Sequence, residues 1–370
     1  MERTTFLSSL CIFVLSGVFA QGINPASPAP EFITAVDSIV NGEMGLHNIP
    51  GIAIGVVKDG SVVYSKGYGV RDIRSKKGIR DYSVFHTASI SKLFTALAVM
   101  QLAGEEKVSL DGKLGDVAPE LKYKNGRAKE ITIKQLLNHT SGLPDIHNYH
   151  WEYNHQSENS LRDYILGLSL KARPGPSKEY HYSNLGYDLL GYLIEKISGR
   201  PFEEYMKNEV LIPFGMTESD FRYFIIPDSL KVSPHSKRPI TQKIYVRKIY
   251  PYTREHAPSS TLNASAKDLS KWMADFLDKL KSKGAATGYK AMLEPSCNAY
   301  PYIGLGFQLY DHENHKGVGH FGGDKGFRSF LIMLPDENMG LVVLGNGDYH
   351  ENYRERIAWP VIKLMLTKGY

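Results

Sequence analysis

The sequence predicts an α/β protein of the α+β kind: an antiparallel sheet flanked by helices, with a mostly helical subdomain. Three observations support this fold class. β-rich runs occur in the first part of the chain (about 25–85) and again in the last part (about 300–370), the region between them (about 86–299) is mostly helical, and no segment repeats. One sheet formed from both parts, with the helical region inserted, explains this order better than two tandem domains.

The first elements along the chain are a helix and a hairpin. Apolar residues between 31 and 47 recur at helical spacing. Two β-rich runs then flank Asp59-Gly60, which is the strongest short signal for a hairpin turn. The almost wholly apolar run LFTALAVMQL (93–102) predicts a buried helix after them.

The middle of the chain predicts helices and its end predicts strands. Helices are expected in 131–145, closed by Ser141-Gly142 and Pro144, in 184–199, capped by Gly199, and in 263–280, capped by Asn263 or Ser265. Strands are expected within 304–323, 326–336 and 339–347, before a last helix at about 351–367.

Composition is that of a globular protein, with 42% hydrophobic and 22% charged residues among 370. The net charge of +5 is mild for this length and gives no concentrated basic face, so nucleic acid is not expected as a partner. An apolar run ending at Val18-Phe19-Ala20 predicts a signal peptide at about 1–20 and a secreted or periplasmic mature chain. A membrane anchor is the alternative, but the run is shorter than the roughly 20 residues needed to span a bilayer.

Ser89 and Lys92 are the first candidate catalytic residues along the chain. On a helix, residues three apart share a face. A lysine beside a serine in a partly desolvated site can lose its proton and then accept the proton of the serine. The alternative is a helix cap beside a solvated lysine, yet Lys92 interrupts an apolar run, where a lysine needs a partner or a function.

Two further short motifs contain groups that could assist such a serine. Tyr182 and Asn184 directly precede a predicted helix; a tyrosine near a cationic lysine can have a lowered pKa and act as a general base. His320 precedes Gly322 and Gly323, which could admit a substrate backbone and present an N–H to an oxyanion. A capped turn and a glycine-rich hairpin with a surface histidine are the alternatives.

In order and spacing, Ser89-Ile90-Ser91-Lys92, Tyr182-Ser183-Asn184 and His320-Phe321-Gly322 resemble the three motifs of the serine β-lactamase and penicillin-binding protein superfamily. The closest resemblance is to the class C β-lactamase-like branch, which includes D-Ala-D-Ala carboxypeptidases, D-amino-acid peptidases and esterases. Three longer segments are also similar to this branch: LLNHTSGLPD (136–145), RPGPSKEYHYSNLGY (173–187) and GRPFEEYMKNEVLIPFGMTES (199–219). The resemblance implies a β-lactamase/transpeptidase-like fold with the site between sheet and helices.

The resemblance also implies roles for the site residues, and it implies that no metal or cofactor is needed. Ser89 would be the nucleophile and Lys92 its activator, while Tyr182 would shuttle protons. Asn184 would orient the substrate and Lys92, and His320 would line the third side of the site. The oxyanion hole would consist of the backbone N–H groups of Ser89 and Gly323.

The third motif departs from the pattern of dedicated β-lactamases. His320 stands where those enzymes usually carry lysine, and Phe321 replaces a hydroxyl residue that commonly binds a substrate carboxylate. Residues 258–261, Pro-Ser-Ser-Thr, replace a common Pro-Ala-Gly-Gly and predict an altered pocket rim. A serine hydrolase that acts through an acyl-serine intermediate on small amides or esters is therefore expected, with a D-amino-acid peptide, an ester or a β-lactam-like compound as substrate. A carboxypeptidase or esterase is favoured over a dedicated β-lactamase. The alternative is a binding or sensor relative that is acylated without turnover.

Two segments could suggest other partners. Residues 145–156 contain three histidines but no known metal spacing, so a loop rimming the cleft is expected. Residues 235–256 are basic with interleaved aromatics, and a β-ribbon near the site is favoured over a surface for an anionic polymer. The expected partner is a small-molecule or peptide substrate, with no stable membrane anchor after signal cleavage; the oligomeric state stays open.

Overall fold

The structure, a computed structural model, describes residues 28–173, 179–282, 286–350 and 352–368. The predicted signal peptide at 1–20 and the Pro174-Gly175 pair lie outside them. The strands are β1 (Gly51–Lys58), β2 (Ser61–Gly69), β3 (Phe85–His86), β4 (Lys122–Tyr123), β5 (Ser169–Leu170), β6 (His235–Lys237), β7 (Ile244–Val246), β8 (Asn263–Ala264), β9 (Gln308–His312), β10 (His315–Asp324), β11 (Phe327–Leu334) and β12 (Met339–Gly345).

The helices of the described residues are α1 (Pro30–His47), α2 (Ser91–Gly104), α3 (Leu114–Val117), α4 (Gly126–Lys129), α5 (Ile133–Leu137), α6 (Ser160–Gly167), α7 (Asn184–Ser198), α8 (Phe202–Tyr205), α9 (Ala257–Ser260), α10 (Ala266–Lys281), α11 (Ala286–Leu293) and α12 (Tyr353–Lys368). No helix in the described ranges is long and apolar enough to cross a membrane.

The main sheet has six strands in the order β2-β1-β12-β11-β10-β9, and every neighbouring pair is antiparallel. Strands from both parts of the chain therefore meet at the β1–β12 pairing, which confirms the predicted fold class. The hairpin between β1 and β2 turns at Asp59 (φ 49°) and Gly60 (φ 74°), since two left-handed residues match the twist of the strands.

Alternating side chains of β1 separate two apolar cores. Ile52, Ile54 and Val56 pack on the face covered by α1 and α12, whereas Ala53 and Val57 face the core formed with α10 and the helical region. A strand buried on both faces is almost continuously apolar, as β1 is.

The predicted helix caps are confirmed, with one helix shorter than expected. Ser265, one of the two predicted candidates, caps α10 by accepting the Asp268 N–H, and Gly199 ends α7 in the left-handed region. The helix predicted in 131–145 is α5 and ends at Leu137, before the predicted Ser141-Gly142 stop. The side chain of Asn138 accepts the Thr140 N–H and hydroxyl instead, so a local turn competes with the helix.

Candidate active site

Ser89 lies in a 3₁₀ turn, Ala88–Ile90, that runs directly into α2. Ala88 has a positive φ of 50°, a conformation that costs a non-glycine residue roughly 1 kcal/mol. Ser91 stabilises the turn, because its hydroxyl donates to Ala88 O at 2.6 Å and accepts the Leu262 N–H at 2.9 Å. Ser89 itself stays partly exposed, so its hydroxyl is held at the cleft surface.

Lys92 is completely buried beneath Ser89, with 0% of its surface exposed. Burial lowers the pKa of its ammonium group to about 7, although the negative charges of Asp188, Asp145 and Asp324 oppose this shift. The solvated lysine considered as an alternative is therefore excluded. Near neutral pH a large fraction of Lys92 is an uncharged amine.

The partners of the Lys92 amine show where its lone pair lies. Nζ donates to Asn184 Oδ1 at 2.6 Å and to the backbone carbonyl of Ser259 at 2.7 Å. The third neighbour of Nζ is Ser89 Oγ, 3.0 Å away. A neutral amine has two N–H groups and one lone pair, since the ammonium has three donors. In the neutral form the two acceptors occupy both N–H groups, so the lone pair of that form faces the Ser89 hydroxyl, whereas the ammonium donates to it.

Tyr182 approaches Ser89 from the other side, with its hydroxyl 2.9 Å from Ser89 Oγ. A lowered pKa was predicted for this phenol from its sequence context, and that prediction is wrong. Burial raises its pKa well above the usual range, with only partial opposition from the hydrogen bond to Ser89. The amine of Lys92 lies 5.0 Å from the ring centroid, but its charge is not among the main causes that set the pKa of Tyr182.

His139 fixes the ring of Tyr182. The two rings stack with centroids 4.3 Å apart, and His139 Nδ1 accepts the Ser183 N–H at 3.1 Å. Burial lowers the pKa of His139 well below its usual value, so the imidazole is neutral and can accept. No role for His139 was predicted; only its place in the segment 136–145 pointed to it.

Asp145 fixes the orientation of Asn184, the first residue of α7. Its Oδ1 accepts the backbone N–H of Asn184 at 2.8 Å and the side-chain Nδ2 at 2.9 Å. The amide oxygen of Asn184 must then point toward Lys92, where it accepts from Nζ. This role of Asp145 could not be predicted, because the spacing between 145 and 184 contains no signal for a contact.

We expect Asp145→Ala to slow acylation of Ser89 by about tenfold, because Asn184 loses the partner that keeps its oxygen toward Lys92. Asp145→Asn is the matched control, since an amide oxygen can still accept from Asn184. Rates of acylation measured with p-nitrophenyl acetate check this. A rate in Asp145→Ala equal to that of the parent would show that Asn184 is held by other contacts.

His320 lies on β10 and lines the third side of the site, with its ring centroid 6.2 Å from that of Tyr182. It is only 3% exposed, so the surface histidine considered as an alternative is excluded. Burial lowers its pKa to about 3, and the positive charge of Lys92 adds to this shift. His320 is therefore a neutral imidazole, and Nδ1 hydrogen-bonds to the carbonyl of Phe321.

The side chain of Phe321 lies on the opposite face of the sheet. It stacks on Phe330 with centroids 4.1 Å apart and lies 4.8 Å from the guanidinium carbon of Arg354. Successive side chains of a strand alternate between faces, so Phe321 and His320 cannot both face the site. Phe321 therefore contributes packing rather than a surface for the substrate.

Gly322 and Gly323 occupy different environments. A Cβ at Gly322 would collide with the backbone carbonyl of Thr87, so glycine is required there for β10 to pack against the Ser89 turn. The sequence analysis expected Gly322 to admit a substrate backbone; the backbone that approaches it is that of Thr87. Gly323 is exposed at the cleft, and its N–H stays a predicted oxyanion donor.

Residues 258–261 lie under the site rather than at its rim, so the predicted effect on the rim is wrong. Ser259 and Ser260 are buried in α9, and the carbonyl of Ser259 holds Lys92. The segment 235–256 contains the two-stranded antiparallel ribbon of β6 and β7, as favoured. Within the described ranges no cluster of three or more His, Cys, Asp or Glu side chains could hold a metal ion.

The chain has an antiparallel sheet and a buried lysine that lies between a serine, an asparagine and a tyrosine. Together these features are typical of a class of serine hydrolases. The model of the Beta-lactamase family matches residues 36–363, so the chain belongs to this family, within the serine β-lactamase and penicillin-binding protein superfamily. The predicted superfamily is confirmed.

Individual relatives agree with this assignment. Protein flp of Staphylococcus aureus (strain NCTC 8325 / PS 47) is 31% identical over 323 residues, which cover 84% of this chain and 62% of the relative. Penicillin-binding protein 4* of Bacillus subtilis (strain 168) is 25% identical over 337 residues, 84% of this chain and 71% of the relative. The chain thus spans less than two thirds of the length of protein flp.

Two solved structures have the same fold. An octameric penicillin-binding protein homologue from Pyrococcus abyssi superimposes with a TM-score of 0.75 and 25% identity over 91% of this chain and 77% of that chain. A β-lactamase/D-alanine carboxypeptidase from Pseudomonas syringae gives a TM-score of 0.73 at 18% identity, covering 90% of this chain and 99% of that chain. At this identity the second likeness concerns the fold alone.

Proposed function

We propose that this protein is an exported serine hydrolase that cleaves small amides or esters through an acyl-Ser89 intermediate. One observation carries the proposal: the buried Nζ of Lys92 lies 3.0 Å from Ser89 Oγ and contacts two acceptors, Asn184 Oδ1 and Ser259 O, which leave the lone pair of the neutral amine for the serine. A base in hydrogen-bond contact with a hydroxyl is what activates a serine nucleophile.

In the proposed acylation step, Lys92 accepts the Ser89 proton while Oγ forms a bond to the substrate carbonyl carbon. Tyr182, a neutral phenol 2.9 Å from Ser89 Oγ, gives its proton to the leaving nitrogen or oxygen as that bond breaks. The Lys92 ammonium then returns a proton to the phenolate. Water cleaves the acyl ester by the same sequence in reverse, and Ser89 is restored.

Gly323 supports the proposed oxyanion site by its position on β10. The Phe321 N–H donates to the side-chain oxygen of Gln308, the first residue of β9, at 3.3 Å. The Phe321 N–H therefore faces the β9 side of β10. Peptide groups two residues apart face the same side. The N–H of Gly323 therefore also faces this side, beyond the end of β9, where it would bind the oxyanion together with the Ser89 N–H.

The substrate class in this proposal follows from the neutral histidine. His320 offers no fixed positive charge to a substrate carboxylate, and Phe321 offers no hydroxyl. D-amino-acid peptides or amides and esters suit such a site better than dedicated β-lactam hydrolysis. Export rests on the apolar segment at 1–20, and a class C-like mechanism rests on the motif order.

Covalent labelling tests the proposal. A small dialkyl fluorophosphate should modify the protein, and peptide mass spectrometry should locate the adduct on Ser89. Ser89→Ala is the control and should remain unmodified while folding normally. An unlabelled parent protein, or equal labelling of Ser89→Ala, would refute the nucleophile assignment.

Turnover separates a hydrolase from a relative that is only acylated. With p-nitrophenyl acetate, a hydrolase releases product continuously in a Ser89-dependent reaction. A single burst followed by a stable adduct would instead support the sensor-type alternative, and the proposal of a hydrolase would then fail.

A further inference from the structure

A short stretch of β10 borders the site without a neighbouring strand. β9 pairs with β10 only at His315–Gly319, whereas the pairing of β10 with β11 continues to Asp324. The open edge is therefore limited to residues 320–323, just before Asp324. The length of a substrate bound along this edge is therefore limited by β9 at one end and by the residues beside Asp324 at the other.

The proposed chemistry gives the substrate a direction along this edge. The Gly323 N–H binds the carbonyl oxygen that Ser89 attacks, and the Gly323 carbonyl faces the same side. A substrate residue that exchanges both hydrogen bonds with Gly323 lies antiparallel to β10. Its acyl side then points toward Asp324, and its leaving group points toward His320.

The indole of Trp151 occupies the end of the edge at Asp324. Its Nε1 donates to Asp324 Oδ1 at 3.0 Å, and the residue is only 2% exposed. The other carboxylate oxygen of Asp324 lies 3.3 Å from His86 Nε2, so the carboxylate is held from both sides. Tyr149 stacks on the indole with centroids 4.6 Å apart and planes at 7°. These two stacked rings, called the wall below, lie beside Asp324, the residue that follows Gly323.

The segment that carries the wall, 145–156, is tied down at both ends. At its start Asp145 accepts two hydrogen bonds from Asn184. Near its end the carbonyl of His155 accepts the Arg254 N–H at 2.9 Å. Both ties are to the helical region, and the hydrogen bond from Trp151 to Asp324 between them reaches the sheet.

Buried groups support the wall from behind. The edges of Tyr149 and Trp151 contact the His256 ring, at centroid distances of 5.0 and 6.0 Å. His256 is itself held by Asp188, with Nδ1 2.7 Å from Oδ2. His256 and Asp188 are 3% and 0% exposed, so the wall rests on the packed interior.

We propose that Trp151 closes the acyl end of the site, so that this protein accepts only short acyl groups. The wall holds Asp324, the residue directly after Gly323, so a substrate paired with Gly323 would have room for one further residue, about 3.4 Å of extended chain. An acetyl group or a single amino acid without a further acyl substituent fits this space, whereas longer acyl chains meet the indole. The inference rests on the proposed acyl-Ser89 function and names the substrate class of that same site.

A series of p-nitrophenyl esters tests the length limit, because the leaving group stays constant. For the parent protein we expect kcat/KM to fall by at least about tenfold from acetate to octanoate. Trp151→Ala removes the wall and should raise the octanoate-to-acetate ratio by about tenfold or more. Trp151→Phe is the matched control: it keeps a ring at the wall, loses the hydrogen bond to Asp324, and should keep the preference for acetate.

The outcomes separate this inference from the proposed function. Ser89-dependent turnover with equal rates on acetate and octanoate would overturn the length limit and leave the hydrolase intact, as would a Trp151→Ala variant that folds and keeps the parent ratio. Loss of turnover on every ester would overturn both. If Trp151→Ala does not fold, the length limit is tested by the ester series on the parent protein and on Trp151→Phe, and equal rates on acetate and octanoate overturn it.

Discussion

Replacement of Lys92 by methionine is expected to reduce turnover by about 10⁴-fold, because it removes the base from a serine whose hydroxyl is otherwise a weak nucleophile. Methionine matches the length of the lysine stem and leaves the apolar packing of α2 in place. The measurement is kcat for a short-chain ester, with Ser89→Ala as the reference for background hydrolysis. A loss smaller than tenfold would show that a group other than Lys92 accepts the proton of Ser89.

Lys92 also determines how the rate depends on pH. The uncharged amine is the active form and its pKa is about 7, so acylation should rise through this pH and then level off. His320, with a pKa of about 3, and Tyr182, with a raised pKa, do not titrate between pH 5 and 9. A rising limb centred near pH 10 would show that Lys92 keeps the proton affinity of a solvated lysine.

The same residue should make the protein less stable at low pH. The folded-state pKa of about 7 lies below the ordinary lysine value of about 10.4. Below pH 7 both the folded and the unfolded chain carry the charge, so the full cost of a buried ammonium is present. Between pH 7 and about 10 the folded chain releases its proton first, and stability rises by about 1.4 kcal/mol per pH unit.

Urea denaturation of the parent and of Lys92→Met tests whether the free energy of unfolding rises with pH as expected. The free energy of unfolding of the parent, relative to that of Lys92→Met, should increase by about 2–3 kcal/mol between pH 7 and pH 9. The acceptors left without Nζ, Asn184 Oδ1 and Ser259 O, lower the stability of the variant by an amount that does not change with pH. Parallel stability curves for the two proteins would contradict a lowered pKa.

Tyr182→Phe is expected to reduce kcat by about 10²–10³-fold, the usual contribution of a proton donor in the transition state. The variant loses only the hydroxyl that lies 2.9 Å from Ser89 Oγ, while the ring keeps its stacking on His139. Its melting temperature should therefore stay close to that of the parent. A protein that melts at the same temperature and keeps its turnover would remove Tyr182 from the mechanism.

The leaving group distinguishes the role of Tyr182 further. An amide needs a proton on its departing nitrogen, whereas p-nitrophenolate departs without one. Tyr182→Phe should thus affect a D-amino-acid anilide more strongly than p-nitrophenyl acetate. Equal losses on both substrates would indicate that Tyr182 orients Ser89 rather than protonating the leaving group.

The elements of the fold could be predicted where their signals are local. The Asp59-Gly60 turn, the capping residue Ser265 and the apolar run of α2 each depend on a few neighbouring residues. The early end of α5 could not be predicted, since it depends on whether the side chain of Asn138 bonds to the backbone or to solvent. That competition is decided by packing around the turn.

The sequence alone determined which groups are available to the site: a serine and a lysine on one helical turn, a tyrosine and an asparagine at the start of α7, and a histidine on β10. Tertiary structure decided what state these groups are in. The pKa of Lys92 is lowered to about 7 because folding buries the amine, beside a carbonyl from Ser259, 167 positions away. For the same reason the pKa of Tyr182 is raised rather than lowered.

Asp145 and Trp151 also illustrate the difference between what the sequence determines and what the tertiary structure determines. Their residue types were visible in the segment 145–156, but a bond from Asp145 to Asn184, or from Trp151 to Asp324, exists only once the chain has folded across the cleft. Proton affinity and access to a site depend on distance and desolvation between segments that are remote along the chain. The sequence therefore determined the chemistry that is possible here, and the folded structure determined which protons move and how much room the acyl group has.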